Sequence, residues 1–556
     1  MSHDHDPSPA AADALGAGEP TSVPSALGLV EGAASALLHG SAVARAGVGL
    51  GAELARIALG RSQISPARGD WRFKDPTWTE NPVFRRVGQS YLAACEAVDQ
   101  VLDDMQERGE GSRADRARFA LGIVTSALAP TNTLAGNPAA MKKTLETGGA
   151  NLVSGFGNFL HDVRQNGGMP SMAKPGALTV GEELGVTPGA VVDADEFAEL
   201  LQYSPTTETV RERPTLVVPP PIGRYYFLDL RPGRSFVEYS VSQGLQTFLL
   251  SWRNPTSDQS DWELDTYARR ILSAIDAVRE ITGSDDVNVI GFCAGGILNT
   301  AVLNYLAHQG DDRVHSASYA VTLLDFGLPA PIGAFASPRL LSLARWNSAR
   351  SGVISARAMG NVFTWMRPND LVWNYWFNNY LMGQDPPTFD ILSWNADGTN
   401  LPAALHGQFL DIFENNPLPQ RGGMESLGFP IELDAIKVPN YVTGAVNDHL
   451  TPWKGTYRTT QLLAGDSTFV LSNAGHIASL VNPPGNPKAS YFTGPLDQSE
   501  SSDDWLAKAE QRSGSWWENW AEWVTAHSGE EVQAPERLGS RRHPAVAPAP
   551  GSYVRQ

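Results

Sequence analysis

Cysteine is nearly absent: the 556-residue chain holds two, Cys95 and Cys293. That excludes a disulfide framework and fits a reduced, cytoplasmic setting. Basic residues are the minority, 42 Lys and Arg against 60 Asp and Glu, for a net charge of −18. A nucleic-acid partner is therefore not expected, since neutralising phosphates needs a basic face. The short basic run of Arg537, Arg541 and Arg542 lies in a Pro/Ala-rich tail and reads as solvated. Long apolar runs are also missing. The most apolar stretch, 26–60, is interrupted by Glu31, His39, Arg45 and Glu53, short of the roughly 20 clean residues a spanning helix needs. No transmembrane segment is expected, only a surface-seeking amphipathic one. Residues 1–13 lack the charged start and apolar core of a signal peptide.

What is present is ordinary for a soluble globular protein: 42% apolar and 18% charged residues. Residues 1–64 read as a disordered tail followed by the amphipathic segment, and 65–200 as a helical N-terminal domain, because apolar residues there recur at steps of three and four. Cys95 falls in that pattern as a small buried hydrophobe. Farther along, short apolar strands alternate with helices, at 215–221, 246–252, 287–293, 319–326, 440–448 and 467–476. Continuous apolar strands joined by helices indicate a parallel sheet covered on both faces, an α/β fold. This catalytic domain is expected to span 201–530, with a Pro/Ala-rich tail at 531–556. Between its fourth and fifth strands lies the insertion 327–437, which carries Trp346, Trp365, Trp373, Trp376 and Trp394. An insertion so long and aromatic reads as a cap.

The chemistry concentrates at VNVIGFCAGGILNT, residues 287–300. Strand, Gly-x-Cys-x-Gly-Gly turn and helix reproduce the nucleophile elbow of α/β-hydrolases with cysteine in place of serine. That fold presents its triad in the order nucleophile, acid, histidine at successive strand ends, and the chain offers Cys293, Asp448 and His476 in that order. A helix N-terminus favours a thiolate. His476 would take and return the proton, and Asp448 would orient the imidazole or assist an incoming hydroxyl. The amides of Ala294 and Ile222 are the expected oxyanion donors. Asp325, ending an earlier strand, is a rival acid, and His449 is a rival base.

The elbow GFCAGG, the acid stretch GAVNDHLTPW and the histidine stretch SNAGHIASLVNPPGNP resemble polyhydroxyalkanoate synthases of the single-subunit class I type. So do VPPPIGRYYFLDL, SWRNP, RPNDLVWNYWFNNYLMG, FDILSWNADGTNLP and GSWWENWAEW, so that the resemblance runs over 65–554. Gly223 and Arg224 depart from it, standing where the family commonly has Asn-Lys. The resemblance implies an α/β-hydrolase fold with a cap, and polymerisation of (R)-3-hydroxyacyl-CoA to polyester through a Cys293 thioester. It implies no cofactor and no metal, the substrate being a coenzyme A thioester. It further implies a homodimer at the surface of cytoplasmic storage granules, with granule-associated proteins as partners beside the substrate and the growing polyester chain. Two other readings stand beside it: a cysteine-type hydrolase, either thioesterase or depolymerase, and a non-catalytic granule-coat protein.

Overall fold

The structure is a computed structural model that describes residues 39–328 and 338–556. The chain forms two compact units: one comprises the residues up to Met172 together with Asn361–Pro386, the other Ala173–Gly360 with Pro387–Gln556.

The first unit is helical. Helices Gly40–Ala58, Pro82–Glu107 and Gly111–Ala127 meet on Ala42, Ala46, Val101, Leu102, Met105, Ala114 and Ala117, which form one buried cluster. Alanines at such a contact let the ridges of neighbouring helices interlock closely. The Asn81 side chain accepts from the amides of Val83 and Phe84, with Pro82 in the first turn, which fixes the start of the second helix. Of the segment expected to be a tail and surface helix, residues 1–38 lie outside the described residues. From Gly40 it is a helix whose alanine face is packed. Cys95 is half-buried rather than buried.

Residues 361–386 were expected in the cap and instead group with these N-terminal helices. The reason is hydrogen bonding that sequence order conceals. Asn151 Nδ2 donates to the Leu381 carbonyl at 2.7 Å, Trp376 Nε1 to the Asn132 carbonyl at 3.0 Å, and the Tyr380 hydroxyl to buried Asp162 at 2.7 Å. Gly155 makes the approach possible, since a Cβ there would lie 1.9 Å from the Tyr380 carbonyl oxygen.

The second unit is built on one eleven-stranded sheet. Its strands are β1 (Gly189–Ala194), β2 (Ala198–Tyr203), β3 (Thr215–Val218), β4 (Thr247–Trp252), β5 (Val287–Phe292) and β6 (Val314–Ala320). They continue as β7 (Asn440–Ala445), β8 (Ser467–Ser472), β9 (Ser490–Thr493), β10 (Glu510–Ser513) and β11 (Ala547–Pro548). The spatial order is β10-β9-β8-β7-β6-β5-β3-β4-β2-β1-β11. The central run β4-β3-β5-β6-β7-β8 is parallel, as the apolar strand pattern predicts. Antiparallel strands extend it on both sides.

Three differences from expectation follow. The hairpin β1–β2 begins inside 65–200, the stretch read as helical, and runs on to Tyr203, because β2 is buried throughout and pairs with β4. β6 ends at Ala320 rather than at 326, where Val321 takes a positive φ of 45° and turns the chain. The 531–556 tail is ordered: β11 pairs with β1, and the Ser552 and Tyr553 amides donate to the buried Glu199 carboxylate. Under the sheet, the helix Trp516–Ala526 opens on a Ser515/Glu518 capping box and buries Trp516, Trp517 and Trp520. Phe236 packs against Trp520 at 4.7 Å between ring centroids and reaches Phe292, the last residue before the elbow, at 5.2 Å. Aromatic contacts of this kind add roughly 0.5–1.5 kcal/mol each beyond their buried area, and here they brace the strand that carries the elbow.

Candidate active site

β5 is buried along its whole length and delivers Cys293 into a backbone conformation that side chains other than glycine rarely adopt, φ 51° and ψ −122°. Such strain costs on the order of 1–3 kcal/mol and persists only where the surroundings enforce it. Here the Cys293 amide donates to the Ala320 carbonyl at 2.8 Å, and the Thr322 hydroxyl donates to the Cys293 carbonyl at 2.9 Å. The flanking glycines have a steric cause. A Cβ on Gly291 would lie 2.5 Å from the Gly296 Cα, and one on Gly295 would lie 2.2 Å from the Val218 carbonyl oxygen. Strand and helix can fold back this tightly only without side chains. Ala294 is the first residue of the helix Ala294–Gln309, so its amide has no intrahelical acceptor.

Asp448 follows β7 and His476 follows β8. His476 Nδ1 meets Asp448 Oδ2 at 2.7 Å, and both side chains are shut off from solvent. The Cys293 thiol is within hydrogen-bonding reach of His476. With Nδ1 committed to Asp448, Nε2 is the nitrogen left for sulfur. The three residues that the sequence singles out are thus brought together. Burial alone would pull the imidazole down, but the Asp448 carboxylate and the Cys293 sulfur outweigh it and push His476 up to about 10. Burial works against the Asp448 anion too, yet His476 and the Thr451 donors hold its carboxyl below the usual range. Both shifts favour an imidazolium–carboxylate pair next to the sulfur.

Asp325 is buried, ion-paired with Arg458 at 2.7 Å, and accepts from Asn416 Nδ2 at 2.8 Å. His449 is half-buried on the loop after β7. Ile222 lies half-buried in the loop after β3, next to Gly223 with its φ of 85°. Cys293 packs at the margin of the main core, as do Ile391, Trp394 and Ile477.

One residue escaped the sequence reading. Asp448 Oδ1 accepts from the amides of Leu450 and Thr451, at 2.8 and 2.9 Å, while Oδ2 accepts from the Thr451 hydroxyl at 2.7 Å as well as from His476. Aspartate with amide donors two and three residues on is an Asx-type turn, so Asp448-x-x-Thr451 was the available signal. Thr451→Val keeps the shape and deletes the hydroxyl, leaving one carboxylate position without a donor. Turnover should fall about tenfold, the net effect of a lost hydrogen bond to a charged group. Thr451→Ser should restore it, and steady-state rates of the two purified variants check this.

Among the described residues no group of three or more His, Cys, Asp or Glu is placed to hold a metal ion. No described helix is long and apolar enough to cross a membrane.

The parallel sheet, the strained elbow and the Cys-His-Asp alignment define an α/β-hydrolase-fold protein with cysteine at the elbow. Residues 231–483 match the family model described as alpha/beta hydrolase fold, and residues 69–240 match that of the poly-beta-hydroxybutyrate polymerase (PhaC) N-terminus. Poly(3-hydroxyalkanoate) polymerase 1 of Ectopseudomonas oleovorans is 44% identical over 508 residues, covering 91% of this chain and 90% of that protein. Poly(3-hydroxyalkanoate) polymerase subunit PhaC of Cupriavidus necator is 37% identical, covering 90% and 85%. The Methylorubrum extorquens poly(3-hydroxyalkanoate) polymerase is 38% identical, covering 88% and 82%. The chain belongs to the poly(3-hydroxyalkanoate) polymerase family.

Proposed function

We propose that this protein polymerises (R)-3-hydroxyacyl-CoA to polyhydroxyalkanoate with release of CoA, and that Cys293 carries the growing acyl chain. The observation that carries the reading is a cysteine at the elbow, facing a buried His476–Asp448 pair, in a chain of the polymerase family. The Cys293 sulfur attacks the thioester carbonyl. The negative charge that develops on the carbonyl oxygen is received by the amides of Ala294 and Ile222. CoA leaves as a thiolate, takes a proton from His476, and the acyl group stays as a thioester on Cys293. The 3-hydroxyl of a second acyl unit then gives its proton to His476 and attacks that thioester, forming an ester and freeing the sulfur. Asp448 keeps the imidazole oriented through both halves.

Sulfur suits this cycle. Exchange of one thioester for another is close to thermoneutral, so the enzyme-bound acyl group remains activated for transfer to an alcohol. The same reading gives the protein its place in the cytoplasm at the surface of polyester granules. There it works as a homodimer alongside granule-associated proteins, with no cofactor beyond its CoA substrate.

Purified protein supplied with 3-hydroxybutyryl-CoA should release CoA and form polymer in step, followed by thiol titration and by chloroform-extracted polyester. Release of CoA with free 3-hydroxybutyrate and no polymer would make the protein a thioesterase and end the polymerase reading.

A further inference from the structure

The loop that carries Ile222 is held by three side chains from one distant stretch, residues 390–402, within the same unit. The Gly223 amide donates to Thr399 Oγ1 at 2.8 Å. Trp394 Nε1 donates to the Arg224 carbonyl at 2.7 Å. Arg224 Nε donates to Asp397 Oδ1 at 2.7 Å, and the Tyr226 hydroxyl donates to the other oxygen of the same carboxylate at 3.1 Å. Arg224 also reaches the main-chain oxygen of Gln556 through Nη2 at 2.5 Å. The Trp394 ring fills the space beside Gly223, where a Cβ would lie 3.0 Å from it.

A loop of proline and glycine has few means of fixing its own backbone: Pro219, Pro220 and Pro221 lack amide donors, and Gly223 is free to rotate. Its precision must therefore come from outside. The Arg224 guanidinium is nearly buried, whereas the Asp397 carboxylate is partly exposed. A planar guanidinium shared between two acceptors fixes direction as well as distance, which an ammonium group would not do. Direction matters here because an oxyanion donor acts only when aimed at the place where charge develops.

We propose that Arg224 and Asp397 are positioning residues that aim the loop carrying Ile222, so that acyl transfer to Cys293 requires the 390–402 stretch to be docked on that loop. The proposal rests on the acyl-transfer reading of Cys293 given above. It assigns Gly223 and Arg224, which depart from the family pattern, a joint role: glycine leaves room for the Trp394 ring, and arginine spans to two anchors.

Two rates measured on the same full-length protein separate aiming from mere folding. The first is the single-turnover release of CoA from 3-hydroxybutyryl-CoA, which passes through a tetrahedral oxyanion. The second is alkylation of Cys293 by iodoacetamide, in which sulfur displaces iodide at a saturated carbon and no oxyanion forms. Asp397→Asn and Arg224→Gln should each slow CoA release about tenfold, less than the roughly 10²–10³ expected for outright loss of a donor. Alkylation should stay within about twofold of the parent. The double variant should fall short of the product of the two single effects, because the Arg224–Asp397 bond is lost in both. Arg224→Lys, which keeps the charge and loses the fork, should fall between. Unchanged CoA release in the single variants, or alkylation that falls in parallel with it, overturns the proposal. A parent protein that alkylates normally but releases no CoA overturns instead the acyl-transfer reading beneath it.

Discussion

Replacing Cys293 with alanine should abolish both CoA release and polymer formation, and replacing it with serine should cost roughly 10⁴-fold or more, on the scale seen when a triad nucleophile is removed. The serine variant is the more informative. Its hydroxyl would stand on the same elbow, next to the same His476, with Ala294 still opening the helix. An acyl group moved from sulfur to oxygen, however, drops from a thioester to an ester, and an alkoxide is a far poorer leaving group than a thiolate. The variant should therefore acylate at most once and then stall. Mass spectrometry of the intact protein would show a single hydroxyacyl adduct without elongation. Continuous polymer formation by Cys293→Ser would show that the sulfur is not the chain carrier.

Asp448→Asn should lower turnover by about 10³–10⁴-fold, and should slow acylation and elongation alike. The carboxylate has no exposed surface and all of its positions are taken: two amides and the Thr451 hydroxyl donate to it, together with His476 Nδ1. An amide side chain must turn its NH₂ toward one of these donors, which leaves a buried mismatch and favours the wrong imidazole tautomer. Since the surroundings give Asp448 no free edge, the proposed mechanism routes its effect through His476, which in that scheme serves both halves of the reaction. Stopped-flow measurement of first CoA release beside steady-state polymer formation would check this. Acylation at the parental rate with elongation lost would mean that Asp448 acts on the incoming hydroxyl directly.

The placement of Cys293, Asp448 and His476 was legible because the elbow has a local signature and because strand ends can be read from apolar runs. The parallel core was legible for the same reason: β3 to β8 are short, continuous and mostly buried. Features that depend on distant pairing were not. The β1–β2 hairpin sits beside helical sequence and is recognisable as part of the sheet only through its pairing with β4. Residues 361–386 look continuous with the insertion around them, and only their bonds to Asn132, Asn151 and Asp162 show which unit they join. Thr451 was missed because a threonine in a loop carries no periodic signal. Asp397 and Arg224 lie 173 positions apart, so nothing in either stretch announces the other.

The two ends of the big sheet also bear on how the protein behaves when concentrated. An unpaired strand offers a row of free amides and carbonyls to any neighbouring chain, and long flat edges invite stacking into aggregates. Here one margin is the two-residue β11, which contains Pro548, and the other is β10, a fully exposed Glu-Gln-Arg-Ser strand with charges of both signs. Proline withholds a donor, and charge makes docking costly. Trimming the chain before Ala547 would remove the first guard and leave β1 as the open margin. For a protein proposed to work in crowds at the surface of an apolar polymer, those few terminal residues would guard against edge-to-edge stacking of sheets.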